Sequence, residues 1–267
     1  MLLGEKESVL ADLAVEFHEG ILRLTVEREA KRNSLTVEIL DSIVRAVRAH
    51  GSSDKARMVL LGTAGPRVFS SGADLGVMDS NATLYESHRA RGVMRDVLLA
   101  FRSCPVPVVV KVQGLCLAGG TALVLGADVV LASDAALFGL PEVTLGLWPF
   151  MVSALLARHV SPKHALDLML TGDRLGAEAA YQIGMVSRVF PAATFEEDVE
   201  TYVLKIAAAA PVAVRMGKAA WGMACQPDLE SALEALSSQL SLLTTSRDAA
   251  EGVRAFFEKR PPRYTGN

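Results

Sequence analysis

Apolar and polar residues alternate along LAVEFHEGILRLTV, residues 13–26, with Glu19-Gly20 at the centre. A period of two broken by such a pair predicts a β-hairpin. The period then lengthens. Leu35, Ile39, Ile43, Val44 and Val47 recur at helical spacing within 33–50, with Ser34 or Thr36 placed to cap the helix. Nearly unbroken apolar runs at 56–63, 105–114, 128–133 and 136–140 predict strands buried on both faces. Helical patterns over 85–102 and 119–127 lie between them. Strands alternating with helices predict βαβ units. From 162 onward the pattern is helical (162–170, 175–183, 195–209, 211–225, 227–246 and 247–258), with VSRVFP at 186–191 as a short exception. The pattern predicts an α/β core over 1–194 and a helical region over 195–267.

Composition narrows the class. Of 267 residues, 51% are hydrophobic, enough for one large core. The formal net charge is −3 with both signs interspersed, which argues against a nucleic-acid-binding stripe. Cys104, Cys116 and Cys225 show neither metal-ligand spacing nor a disulfide framework, so a reducing, cytoplasmic setting and no bound metal are expected. Glu5, Glu7, Asp12 and Glu16 make the first twenty residues unlike a signal peptide. Lys111, Gln113, Asp128 and Asp134 interrupt the longest apolar stretches, so none reaches the roughly 20 residues of a membrane span and no membrane partner is expected.

Two stretches look like backbone corners. RVFSSGADL (67–75) follows the strand at 56–63 after Gly65-Pro66, and LAGG (117–120) follows the strand at 105–114. Each runs through small residues towards a helix. Such a corner leaves amide groups unpaired, and small side chains let a ligand atom come close. Two corners facing one another would form an oxyanion hole; each alone also reads as an ordinary tight turn. Neither matches G-x-G-x-x-G or a P-loop. A third stretch, FGLPEVTLGLWP (138–149), carries Glu142, the one charged residue between Ala135 and Ala157. Taken alone, it is either a solvated loop acid or a desolvated proton carrier.

Together these stretches resemble the enoyl-CoA hydratase/isomerase (crotonase) family over nearly the whole chain. AKRNSLT (30–36), FSSGADL (69–75), VQGLCLAGGTAL (112–123), FGLPEVTLGLWP (138–149), TGDRLGAEAAYQIGMVSRVFP (171–191) and EGVRAFFEKRPPRY (251–264) carry the resemblance in order. It implies an α/β spiral of ββα units with a helical C-terminal region that forms a homotrimer or a dimer of trimers. It implies an acyl-CoA thioester as partner, with coenzyme A as part of the substrate and no permanently bound cofactor. The amides of Ser71 and Gly119 would hold the thioester oxygen, and Glu142 would move the proton. Phe69, Ser71, Ala73 and Asp74 would bracket the adenine end. Lys31 and Arg32 would lie near the phosphates, and Phe256 and Lys259 would reach the coenzyme, commonly in a neighbouring subunit. Ala122, Leu117, Trp148 and Phe150 would line the acyl pocket.

The chain departs from the family's hydratases at one place. They use two glutamates; the first matches Ala122 here, the second Glu142. Water addition needs one group to activate water and one to protonate carbon. Moving a double bond from the 3,4 to the 2,3 position needs one proton removed and one returned, which Glu142 could do alone. The dienoyl isomerases' further acids match Ala122 and Phe150. The expectation is therefore double-bond isomerisation. Hydration of low or specialised activity, other enolate chemistry such as decarboxylation or thioester hydrolysis, and a catalytically silent acyl-CoA-binding paralogue stay open. Asp79, Tyr85, Glu86 and His88 fall in the region that often roofs the family's pocket and read as solvated or structural. His18, His50, His159 and His164 read as surface or packing residues, and Met185, Met216 and Met223 as packing.

Overall fold

The computed structural model describes residues 6–10, 12–74, 83–225 and 228–267. Strands β2 (Leu13–His18) and β3 (Ile21–Val26) form the expected hairpin, with Glu19 and Gly20 both at positive φ in the turn. β1 (Lys6–Leu10) adds antiparallel to β2. Helix α1 (Val37–His50) follows, and the Thr36 hydroxyl accepts from the Ile39 amide at its start. A cap of this kind stabilises a helix by about 1 kcal/mol.

β4 (Met58–Thr63), β6 (Val108–Val112), β8 (Val129–Ser133) and β11 (Arg188–Phe190) run parallel to β3. Among the described residues they complete one sheet in the order β1-β2-β3-β4-β6-β8-β11. Both faces are apolar because both are covered. Leu22, Val59, Leu61, Val108 and Val110 point into the main core with α1 and α2 (Leu84–Ser103), which buries Met94, Val97 and Phe101. The alternate residues Ile21, Met58, Leu60, Val109 and Leu131 meet Phe195, Val199 and Val203 of α7 (Phe195–Ala207) on the other face. Two polar positions facing that helix are ion-paired to it, Arg23 with Glu200 at 2.7 Å and Lys111 with Glu196. The core thus continues past the boundary at 194/195 that the sequence pattern suggests.

A second, smaller sheet lies apart from the first in the pairing order. β5 (Val68–Ser70), β7 (Leu115–Leu117) and β9 (Leu137–Gly139) are parallel neighbours, and β10 (Arg174–Gly176) pairs antiparallel with β9. Each has three residues, too few for periodicity to reveal. α3 (Gly119–Gly126) follows β7, and α4 (Phe150–His159), absent from the sequence expectation, follows β9. α5 (Pro162–Thr171) and α6 (Ala177–Gln182) complete the unit before α7.

The remaining helices are α8 (Pro211–Ala224), α9 (Leu229–Leu243) and α10 (Arg247–Phe257). α8 is tied to the core by two cations one turn apart. Arg215 donates to the carbonyls of Ser53 and Ala56; Lys218 donates to those of Phe101 and Val106 and pairs with Asp128. No helix among the described residues is long and apolar enough to cross a membrane.

Candidate active site

Parallel strands deliver their C-terminal ends to the same edge, about 4.8 Å apart. Here β5 ends in Ser71-Gly72-Ala73, β7 in Ala118-Gly119-Gly120, and β9 in Leu140-Pro141-Glu142. The two suspected corners and the acid are therefore adjacent, because three short strands pair side by side.

The corners touch. Gly72 has φ +101°, and a Cβ there would lie 2.8 Å from the Ala118 Cβ and 3.5 Å from the Gly119 nitrogen. A Cβ on Gly119 would stand 3.4 Å from the Ala73 nitrogen, and one on Gly120 would strike the Ser70 Cβ at 2.8 Å. Ala118 carries φ 50°, ψ −118°, strained for a residue with a side chain and held by its amide's hydrogen bond to the Gly139 carbonyl at 3.0 Å. No side chain caps α3, and the Gly119 amide has no partner among the described residues.

The first corner corrects the sequence reading. The Ser71 amide, expected in the oxyanion pair, donates to the Arg32 carbonyl at 3.0 Å. The Gly72 amide donates to the Ser70 hydroxyl, and the Asp74 amide to the Leu35 carbonyl. The amide left without a partner among the described residues is that of Ala73, whose residue is exposed. Ala73 is also the residue whose nitrogen lies against Gly119. The two unpartnered amides on neighbouring corners are thus those of Ala73 and Gly119, and no sequence signal separated Ala73 from Ser71, since both are small neighbours of Gly72.

Glu142 sits on a 3-10 turn, Pro141–Leu145, with Gly146 closing it in the left-handed conformation. Its side chain is half-buried, and Oε2 is buried with no hydrogen-bond partner among the described residues. Loss of hydration pushes its carboxyl above the ordinary carboxylate range; its backbone amide offsets part of this. An orphaned, desolvated carboxylate is costly to the fold and suited to taking a proton from carbon.

Other expected residues divide. Ala122 is 1% exposed on the inward side of α3, so no carboxylate stands there. Leu117 is half-buried with its side chain against Gly139, and Trp148 packs on the edge of the core. Phe150 is 76% exposed at the start of α4, which does not fit a closed pocket wall within one chain. Phe69 is fully buried, so only its backbone can face a ligand. Asp74 is held by Arg28 at 2.6 Å and by the Ser34 hydroxyl, a structural engagement in place of the expected ligand contact. Lys31 and Arg32 are exposed beside the first corner. Phe256 is 78% exposed and, with Lys259, lies at the end of α10, which packs on α8. Tyr85 and His88 are exposed; Asp79 and the Glu86 side chain lie outside the described residues. Sequence reasoning missed Met94, whose Cε comes within 3.3 Å of a Cβ built on Gly119, so that it covers the second corner.

The sequence profile of the enoyl-CoA hydratase/isomerase family matches residues 16–267. The chain belongs to that family. It is 33% identical over 261 residues to the 2,3-dehydroadipyl-CoA hydratase of Escherichia coli, covering 96% of this chain and all of that one. It is 31% identical over 265 residues to the human mitochondrial enoyl-CoA hydratase domain-containing protein 3, covering 97% of this chain and 85% of the relative. The crystal structure of that human protein superposes with a TM-score of 0.90 over 95% of this chain and 100% of the other, at 31% identity. Two sheets and a helical C-terminal region are thus the crotonase fold. The six stretches that carried the resemblance all fall within or across the matched range.

Proposed function

We propose that this family member isomerises a 3-enoyl-CoA to the conjugated 2-enoyl-CoA, with Glu142 as its sole proton carrier and the amides of Ala73 and Gly119 on the thioester oxygen. The observation that carries the reading is Glu142, whose buried Oε2 has no partner among the described residues, on the segment that leaves β9 beside the two strand ends where the Ala73 and Gly119 amides are likewise unpartnered, with a buried alanine at position 122.

The chemistry balances with these groups. The Glu142 carboxylate takes a proton from C2, which lies between the thioester carbonyl and the 3,4 double bond. The C2–H electron pair becomes the C1–C2 double bond of a dienolate that keeps its 3,4 double bond, the carbonyl pair moves to the thioester oxygen as negative charge, and the 2,3 double bond forms only when C4 is protonated. Two N–H donors hold that charge, each worth roughly 3–4 kcal/mol in such a site. The dienolate then collapses, and the Glu142 carboxylic acid returns its proton to C4. Nothing is gained or lost, and no second acid is used. In this reading Lys31 and Arg32, exposed beside the first corner, hold the phosphates of coenzyme A, and Phe256 in the last turn of α10 and Lys259 just past it reach the coenzyme of a neighbouring subunit.

Hydration is the second reading, favoured by the names of the relatives just described. In it Glu142 must both activate water and protonate C2. Incubation with a 3-enoyl-CoA and with a 2-enoyl-CoA separates the two, with mass spectrometry of the products. The expected result is a conjugated isomer of unchanged mass from the first and little or no adduct 18 mass units heavier (the mass of water) from the second. Glu142→Gln is expected to lower the isomerisation rate about 10²- to 10⁴-fold, the contribution of a positioned acid–base group. An undiminished rate in that variant removes Glu142 from the role.

A further inference from the structure

The corner that carries the Ala73 amide is braced by the segment that also holds Lys31 and Arg32. Residues 28–35 run alongside 70–74 and engage it repeatedly. The Ser71 amide donates to the Arg32 carbonyl, the Leu35 amide to the Gly72 carbonyl at 2.9 Å, and the Asp74 amide to the Leu35 carbonyl at 2.9 Å. The Ser70 hydroxyl donates to the Asn33 carbonyl at 2.9 Å while accepting from the Gly72 amide at 3.1 Å. The peptide units on both sides of Ala73 are thus pinned, and its own N–H is left over.

The brace needs unusual backbone. Arg32 and Asn33 are both left-handed, with φ 53° and 48°. Asn33 is fully buried, and its side chain is spent on holding that shape: its Oδ1 accepts from the Arg28 amide, and its Nδ2 donates to the carbonyls of Ala64 and Val68. Across the far end lies Arg28. Its Nη1 donates to Asp74 Oδ2 at 2.6 Å, to the Ser34 hydroxyl and to the Ser34 carbonyl at 3.3 Å; its Nε meets Asp12 Oδ2 at 3.2 Å. Arg28 is 20% exposed and Asp74 29%, so the pair is largely shielded from water. A planar fork can hold three partners at once in a way that a lysine cannot.

We infer that Arg28 is a positioning residue for the proposed chemistry: through its ion pair with Asp74 it fixes the peptide carrying the Ala73 amide, and so sets how strongly the thioester carbonyl is polarised. This rests on the two-amide reading above. Its consequence differs from a loss of binding. Neither Arg28 nor Asp74 is a residue proposed above to hold coenzyme A, whereas a misplaced donor weakens the transition state, and displacement of about 1 Å can cost about 10²-fold in rate.

The test is the infrared carbonyl band of a saturated short-chain acyl-CoA carrying ¹³C at the thioester carbon, which binds without turning over. In the wild-type protein the bound band is expected below that of the free thioester. In Arg28→Gln and in Asp74→Asn, measured at saturation on protein with native circular dichroism, most of that downshift is expected to vanish. On the 3-enoyl substrate kcat should fall by about tenfold to a hundredfold with KM changed less than about twofold. Arg28→Lys should recover part of both. A full downshift in both Arg28→Gln and Asp74→Asn overturns the positioning role and leaves the proposed function standing. Absence of a downshift in the wild type overturns the two-amide reading and this inference with it. If Arg28→Gln fails to fold, Asp74→Asn and Ser34→Ala, each of which removes one partner from the brace, decide the matter by the same band.

Discussion

Glu142 is the proton carrier of the proposed reaction, and its environment predicts its titration. Burial raises its carboxyl pKa, so the folded protein holds that proton more tightly than the unfolded chain does. The stability cost of ionising it is therefore absent below the unfolded value of about 4.3 and complete once the pH exceeds the folded value. Glu142→Gln should melt at the same temperature as the wild type near pH 4 and higher than the wild type at neutral pH. The same shift sets the rate. The proposed reaction needs the carboxylate, so kcat/KM should fall on the acid side with an apparent pKa above the ordinary glutamate range. A midpoint at or below that range would mean that the catalytic base is another group. Glu142 was legible from the sequence because it is the one charge in a long uncharged stretch. The choice of Ala73 over Ser71 was not, because it depends on where each amide's hydrogen bond goes.

Among elements, the short strands matter more than the long ones. The hairpin, α1, the parallel strands and most C-terminal helices were readable because burial on one or both faces imprints a period. β5, β7, β9 and β10 have three residues each, and their pairing is imposed by neighbours. Yet these strands align the three functional segments. The tightness of their ends explains the glycines. Gly72→Ala would force a side chain into φ +101° and against the Ala118 Cβ at 2.8 Å. A loss of more than about 1 kcal/mol is expected, since the native conformation is incompatible with the new residue. Urea denaturation at unchanged m-value measures it. A variant as stable as the wild type would show that the corners can separate, which would undo the convergence of the two amides.

For the whole molecule, α8–α10 raise the question of assembly. Leu229, Leu233, Leu240, Leu242, Phe256 and Phe257 are all exposed on α9 and α10. An apolar area of this kind marks an interaction surface. We propose that it is the face on which copies of this chain associate, as a homotrimer or a dimer of trimers, which also brings Phe256 and Lys259 of one copy towards the coenzyme of another. Leu233→Glu combined with Leu240→Glu is expected to yield smaller species in multi-angle light scattering and to raise KM for the acyl-CoA. A monomeric wild-type protein with full activity would refute this. The C-terminal helices were visible in the sequence as patterns. Their division of labour was not: α7 closes the sheet with Phe195, Val199 and Val203, while α8 is tied by Arg215 and Lys218 and leaves α9 and α10 outermost.

By itself the sequence determined the order of most strands and helices, the family likeness, and the identities of Glu142 and Ala122. These are properties of residue identity and of periodic burial, and both are written locally. Only the tertiary structure decided which amides remain free, which carboxylate is left without a partner, and that Arg28 reaches across 46 positions to Asp74. Those outcomes depend on how distant segments share a limited set of donors and acceptors, and no local pattern records that competition.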